Sequence, residues 1–357
     1  MSARGRSLVF RAGAGALESV RKHGFAAERI STLAGASGGA KWLVLSQLDR
    51  VVMEKIVPRL EAPVHLLGSS IGAWRFACYA QRDPLDAIRR FEDAYFEQSY
   101  SDRPDRAEIS AKSREILDHV IGPGGVRDIL THPVLRTHVM TVRSRHLMAS
   151  DIPLVLSAGL LATAACNLLS RRTLGLFFER ALISDTRDRP PFHAPRGFPM
   201  QRVALSADNL KEAIIASGSI PMVLLGVRDI PGAKRGVYRD GGIIDYHLDL
   251  PQSDAGRMTL YLHFYDRITP GWFDKKISWR RPDPANIDDT ILISPSEEFV
   301  RRLPHGKIPD RSDFINLSTD ERVRAWRGAV AACEELADEF NEVLEKDELA
   351  ARLQPFR

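Results

Sequence analysis

The stretch Pro63-Val64-His65-Leu66-Leu67-Gly68-Ser69-Ser70-Ile71-Gly72-Ala73-Trp74 decides how this chain is read. An apolar, strand-like run ends in Gly68-Ser69-Ser70-Ile71-Gly72, and Ala73-Trp74-Arg75-Phe76-Ala77-Cys78-Tyr79-Ala80 then opens a region with few helix breakers. That pattern fits a nucleophile elbow, in which a serine sits on a strained strand-to-helix turn and small neighbours let two backbones pass closely. Ser70 is the candidate nucleophile. Five residues with three fixed positions also recur by chance, so the surrounding chain has to decide.

Upstream, Ser7-Leu8-Val9-Phe10 reads as a short strand, and Gly15 to His23 as a helix with Leu17 and Val20 on one side and Glu18, Arg21 and Lys22 on the other. Ile30-Ser31-Thr32-Leu33-Ala34 is a second strand, running into Gly35-Ala36-Ser37-Gly38-Gly39-Ala40-Lys41-Trp42. A glycine-rich loop between strand and helix presents backbone N–H groups to an anion. Residues 43–56 carry a helical pattern back to the strand before Ser70. The unit is strand, glycine-rich loop, helix, strand, serine elbow, helix, and a right-handed crossover brings both loops to one sheet edge.

On these residues the chain resembles the patatin-like phospholipases, whose α/β domain uses a Ser–Asp dyad. Ser37-Gly38-Gly39-Ala40-Lys41-Trp42 stands for the family's Gly-Gly-Gly-x-Arg/Lys-Gly oxyanion loop, Gly68 to Gly72 for its GxSxG elbow, and Asp240-Gly241-Gly242 for its Asp-Gly-Gly. Ala216-Ser217-Gly218-Ser219-Ile220-Pro221 is similar to the family's Ala-Ser-x-x-Ile-Pro segment before the aspartate. The resemblance spans about residues 30–265. It departs from the pattern at Ser37, in place of the first loop glycine, and at Trp42, in place of the last.

The resemblance implies a three-layer α/β/α domain with a mostly parallel central sheet, spanning 1–357 as one unit, with a helical insertion over about 100–200. It also implies roles: Ser70 as nucleophile, Asp240 as base, and Gly38, Gly39, Ala40 and Lys41 as the oxyanion and substrate-binding loop. The substrate is then a phospholipid or another acyl ester. Transfer of the acyl group to an acceptor other than water stays open, as does a catalytically silent lipid-binding module on the same fold.

Two other placements compete. Gly35-Ala36-Ser37-Gly38-Gly39 is also GxSxG after a strand, but taking Ser37 as nucleophile leaves Arg11-Ala12-Gly13-Ala14-Gly15 as the oxyanion loop, which lacks adjacent glycines. Ser70 is preferred. A Ser–Asp–His site would draw on His247, His263 or His305, which follow Asp240 in chain order, whereas His65 belongs to the strand before the elbow.

Between the elbow and Asp240, Pro84 to Phe91 starts a helix with proline in its first turn. Ile152 to Cys166, the most apolar run, contains Pro153, Ser157, Gly159 and Thr163, and a membrane span there would divide the site motifs between two sides. The expectation is a buried helical hairpin, with a lipid-facing cap as the alternative. Arg187 to Pro199 reads as a loop. Later, Thr259 to Phe264 reads as a strand, Trp272 to Arg281 mixes aromatic and basic residues in a way that suits an anionic membrane interface, and 320–353 reads as one amphipathic helix opened by a Ser318/Glu321 capping box.

At 357 residues with 44% hydrophobic composition the chain can bury a large core, and a formal net charge of +4 without a basic stripe gives no argument for nucleic acid. Three widely spaced cysteines, Cys78, Cys166 and Cys333, suggest neither a disulfide framework nor a zinc site. A reducing compartment fits, and the short apolar run after the basic N-terminus, interrupted by Arg11, does not read as a signal peptide. The expected location is cytoplasmic, with peripheral membrane contact. No metal or cofactor is expected, since no His/Asp/Glu cluster stands at ligand spacing.

Overall fold

A computed structural model describes residues 6–192, 197–253 and 256–356. Its strands are β1 (Leu8–Ala12), β2 (Ile30–Gly35), β3 (Val64–Ser69), β4 (Leu135–Ser144), β5 (Phe178–Ser184), β6 (Met200–Ala204), β7 (Val227–Arg228), β8 (Val237–Asp240), β9 (Met258–Leu262), β10 (Thr290–Pro295) and β11 (Gln354–Pro355). They form one sheet in the order β11-β1-β10-β9-β2-β3-β4-β5-β6, with β8 paired to β4 and β7. The central pairs β9–β2, β2–β3 and β3–β4 are parallel. Every residue of β2, β3 and β9 is buried, which requires cover on both faces. Helices supply it, giving the expected α/β architecture with a mixed, mostly parallel sheet.

The helices used below are α1 (Ala14–His23), α2 (Ser46–Val51), α3 (Ile71–Tyr79), α4 (Pro84–Phe96), α5 (Arg106–Thr131), α6 (Pro153–Leu169), the single turn α7 (Leu174–Phe177) and α8 (Leu210–Ser217). The helix expected over 43–56 is wound unevenly: a 3-10 segment Gly39–Leu45, then α2, then a π turn Val52–Ile56. Trp42, Leu43, Val44 and Leu45 are all buried, so no polar face guides a single regular winding. Trp42 stacks on Phe91 of α4 at 4.2 Å between ring centroids, which ties the loop after β2 into the core.

Three expectations need correction. The stretch 100–200 is not a helical insertion alone, because it contributes β4 and β5 to the central sheet. The run from Ile152 is not a buried hairpin: it is the single helix α6, with Leu154 and Leu161 exposed. The C-terminal amphipathic stretch keeps its Ser318/Glu321 capping box but divides into Thr319–Ala332, Glu334–Glu345 and Leu349–Arg352. The break at Cys333 accompanies burial of both Trp326 and Phe340. In the loop expected from Arg187 to Pro199, residues 193–196 lie outside the described residues. Among the described residues, no helix is long and apolar enough to cross a membrane.

Candidate active site

Parallel pairing aligns Gly35 of β2 with Gly68 of β3, so the loops after both strands leave the same sheet edge. Ser70 sits between β3 and α3 with φ 54° and ψ −126°, a conformation an L-residue adopts only under constraint. The constraint is visible. The Ser70 N–H donates to Ser217 Oγ at 2.7 Å, and Ser217 Oγ donates onward to the Met140 carbonyl of β4 at 2.6 Å. This N–H is therefore occupied, while Ile71 N–H, at the first position of α3, heads the helix.

Asp240 reaches the same point from the other direction. β4 is paired along one edge by β5, and its other edge is shared end to end by two strands: β3 as far as the Ser69–Met140 pair, and β8 from the Asp240–Thr141 pair onward. Consecutive positions on β4 thus bring the ends of β3 and β8 together. The Ser70 hydroxyl donates to Asp240 Oδ2 at 2.7 Å, and Gly242 N–H donates to Oδ1 at 2.7 Å. The two glycines after Asp240 are required by close approach: a Cβ on Gly241 would lie 2.2 Å from the Met140 carbonyl oxygen, and one on Gly242 would lie 2.5 Å from Ser37 Oγ.

Ser70 is 5% exposed and Asp240 7%. Burial pushes the Asp240 carboxyl up to about 6, against the hydrogen bonds from Ser70 and Gly242 and the positive charges of Lys275 and Arg311, which pull it down. The Lys275 ammonium is pushed down to about 7, first by loss of water and then by repulsion from Lys41, with Asp240 acting the other way. It stands 4.0 Å from the centre of the Tyr246 ring. Lys41 is likewise lowered, mainly by burial, with Asp310 opposing. Lys275 and Arg311 thus make the surroundings of Asp240 electropositive, with Lys41 near enough to Lys275 to repel it.

The glycine-rich loop follows directly from the end of β2. Gly38 and Gly39 N–H have no hydrogen-bond acceptor among the described residues, and Gly39 takes φ 57°. Ala40 and Lys41 continue into the 3-10 segment. The two departures from the family pattern have separate consequences. Trp42 points into the core, and Ser37 N–H is used by the Tyr246 carbonyl at 2.9 Å while its hydroxyl donates to Ser69 Oγ at 3.0 Å. Ser37 makes no hydrogen bond to Asp240 and its φ is not positive, unlike Ser70.

The histidines of a Ser–Asp–His arrangement are engaged elsewhere. His247 Nδ1 accepts from Thr269 N–H at 2.9 Å and His263 Nδ1 from Tyr265 N–H at 2.9 Å, both rings being fully buried. His305 lies in a 3-10 turn, and no hydrogen bond joins it to Ser70 or Asp240. His65 Nδ1 faces His138 Nε2 at 2.9 Å inside the sheet.

Sequence reasoning gave no role to Ser217 and did not single out Lys275 or Arg311. Ser217 stands inside the Ala216-to-Pro221 segment quoted for its resemblance, so a signal existed. In the sequence Lys275 is one member of a basic, aromatic run, and its nearness to Asp240 is a tertiary fact.

No family model matches the chain, and no curated protein matches it. Among solved structures, the chain is similar to VipD from Legionella pneumophila at 13% identity and a TM-score of 0.36, over 87% of this chain and 67% of that one. At that distance the likeness carries no functional argument, and the reading of the site rests on its own geometry.

Proposed function

We propose that the protein is a serine acyl hydrolase acting on lipid esters, with Ser70 and Asp240 as its dyad. The observation that carries this reading is the 2.7 Å hydrogen bond from the Ser70 hydroxyl to Asp240 Oδ2 at a residue held with φ 54°. A serine hydroxyl is a weak nucleophile until a base removes its proton, and a carboxylate shifted to about 6 is both ionised at neutral pH and more basic than an ordinary aspartate.

Ser70 Oγ attacks the ester carbonyl as its proton passes to Asp240. The carbonyl oxygen becomes an oxyanion facing the free N–H groups of Gly38 and Gly39, and each such donor contributes about 3–4 kcal/mol in comparable sites. Collapse expels the alcohol, which takes the proton from Asp240. Water, deprotonated by the same carboxylate, then releases the acid and restores Ser70. Lys41, Lys275 and Arg311 favour a substrate that carries negative charge near the ester, as a phospholipid does. The resemblance to patatin-like phospholipases stated above adds to this reading.

Labelling with a fluorophosphonate probe tests it. Wild type and Ser37→Ala label; Ser70→Ala does not, and Asp240→Asn labels at least about a thousandfold more slowly. Failure of folded wild type to label at any pH from 5 to 9 would sink the proposal.

A further inference from the structure

Helix α6 is turned inside out. Its buried line is Leu156, Gly159, Thr163 and Asn167, and its exposed line, at the same helical spacing, is Leu154, Ala158, Leu161, Ala165 and Leu168. The polar residues face the protein: Thr163 Oγ1 donates to the Gly159 carbonyl at 2.7 Å, and Asn167 Nδ2 donates to Asp274 Oδ1 at 2.9 Å. The bulky apolar ones face outward, Leu154 at 81% exposure and Leu161 at 73%, joined by Ile152, Leu169 and Leu176. Water does not account for such a face.

Two segments beside this face are basic, with Asp274 buried between Arg171 and Arg280. No acidic residue occurs from Ile152 to Phe178, where Arg171 and Arg172 lie, nor from Lys275 to Pro282, where Lys275, Lys276, Arg280 and Arg281 lie. The second segment is pinned to the end of α6, because Arg280 donates to the Asn167 carbonyl at 2.9 Å and Asp274 holds the Asn167 amide. Trp279, 71% exposed, stands in it. Among the described residues, Arg172, Lys276 and Arg281 have no ion-pair partner. A second copy packed on the same face would bring two such fringes together without acidic partners.

From its inward side the helix also adjoins the candidate site. Ser157 of α6 contacts Met222 Sδ at 3.7 Å, just after the segment whose Ser219 carbonyl accepts from Asp240 N–H at 3.0 Å. Leu156 packs in one cluster with Ile243 and Ile244, which follow the Asp240-Gly241-Gly242 turn.

We infer that the outward face of α6, with its basic and tryptophan fringe, is a docking surface for an anionic lipid bilayer, carried on a helix that packs against the residues following the Asp240-Gly241-Gly242 turn. Leucines enter the acyl boundary, Trp279 lies at the headgroup level, and Arg172, Lys276 and Arg281 meet lipid phosphates. Docking is read from α6 itself; that it delivers an ester to Ser70 rests on the hydrolase reading above.

The experiment is vesicle flotation of Ser70→Ala protein, so that hydrolysis does not enter the readout. Vesicles are phosphatidylcholine alone, or phosphatidylcholine with a third of phosphatidylglycerol. The protein is expected to float with the anionic vesicles at least about tenfold more than with neutral ones, as several basic residues near a charged surface imply. Leu161→Gln/Leu168→Gln is expected to lower that binding at least about tenfold, through loss of buried apolar area. The same pair of changes in the active chain leaves turnover of a short water-soluble ester unchanged, which shows that the fold survives. Equal flotation of parent and variant overturns the inference, as does absence of flotation, or light scattering showing a dimer that the variant splits. Flotation without any turnover of the soluble ester by wild type would instead overturn the hydrolase reading and leave docking intact.

Discussion

Gly72 of the elbow lies directly against Gly35 of the neighbouring strand end, so closely that a Cβ on Gly72 would stand 2.0 Å from the Gly35 carbonyl oxygen. Neither backbone can move without shifting the β2–β3 pair beneath it. Gly72→Ala is expected to cost about 3 kcal/mol or to prevent folding. At Gly39 nothing lies within 4 Å of the added carbon, so Gly39→Ala meets only the strain of its positive φ, about 1 kcal/mol. Urea denaturation of the two variants measures the difference.

The rate of fluorophosphonate labelling should fall on the acid side of an inflection near 6, where Asp240 gains its proton. Lys275 helps to hold that carboxylate ionised, so Lys275→Gln is expected to move the inflection to higher pH. An unmoved inflection would mean that the ammonium does not act on the base.

Stability should respond to Asp240 with the opposite sign from activity. The folded protein holds this proton up to about 6, whereas an unfolded aspartate loses it near 4, so stability from this group is present below about pH 4 and lost as pH rises through about 6. Asp240→Asn removes the buried charge and is expected to stabilise the protein by about 2–3 kcal/mol at pH 7, with little gain at pH 4. Thermal denaturation at the two pH values tests this, alongside loss of labelling.

Beneath the elbow helix, Arg75 Nε donates to Asp49 Oδ2 at 2.8 Å and the Tyr79 hydroxyl donates to Asp49 Oδ1 at 2.7 Å, all three side chains being buried. Asp49→Ala leaves the guanidinium without its counter-charge and is expected to cost about 3–5 kcal/mol. Asp49→Asn, which keeps an acceptor, should cost less. Urea midpoints distinguish them.

The elbow, the glycine loop and the Asp-Gly-Gly turn were legible because each combines small residues with a chemical group in a short stretch of chain. The sheet was legible only in part. β4 contains Arg136, His138 and Arg143, which break the apolar signature of an interior strand; their partners, Asp188 for Arg136 and Glu179 for Arg143, come from elsewhere in the chain. A polar residue satisfied at long range reads locally as a loop or helix surface. α6 failed for the converse reason. Apolar content reads as burial only if water is assumed outside, and here the stripe that faces out is the apolar one. Of the positive charges around the site only Lys41, in the glycine-rich loop, was legible; Lys275 and Arg311 reach Asp240 through tertiary packing.

The shared edge of β4 has a kinetic consequence. Ser70 and Asp240 are 170 residues apart along the chain, yet the strands that carry them end on neighbouring positions, Met140 and Thr141. Neither of the strands meeting there can position the pair until both have zipped onto β4 in register, and such distant pairings form slowly. Reactivity toward the fluorophosphonate should therefore return late in refolding, after helical circular dichroism has recovered, and serve as a clock for the moment at which β3 and β8 have both joined β4.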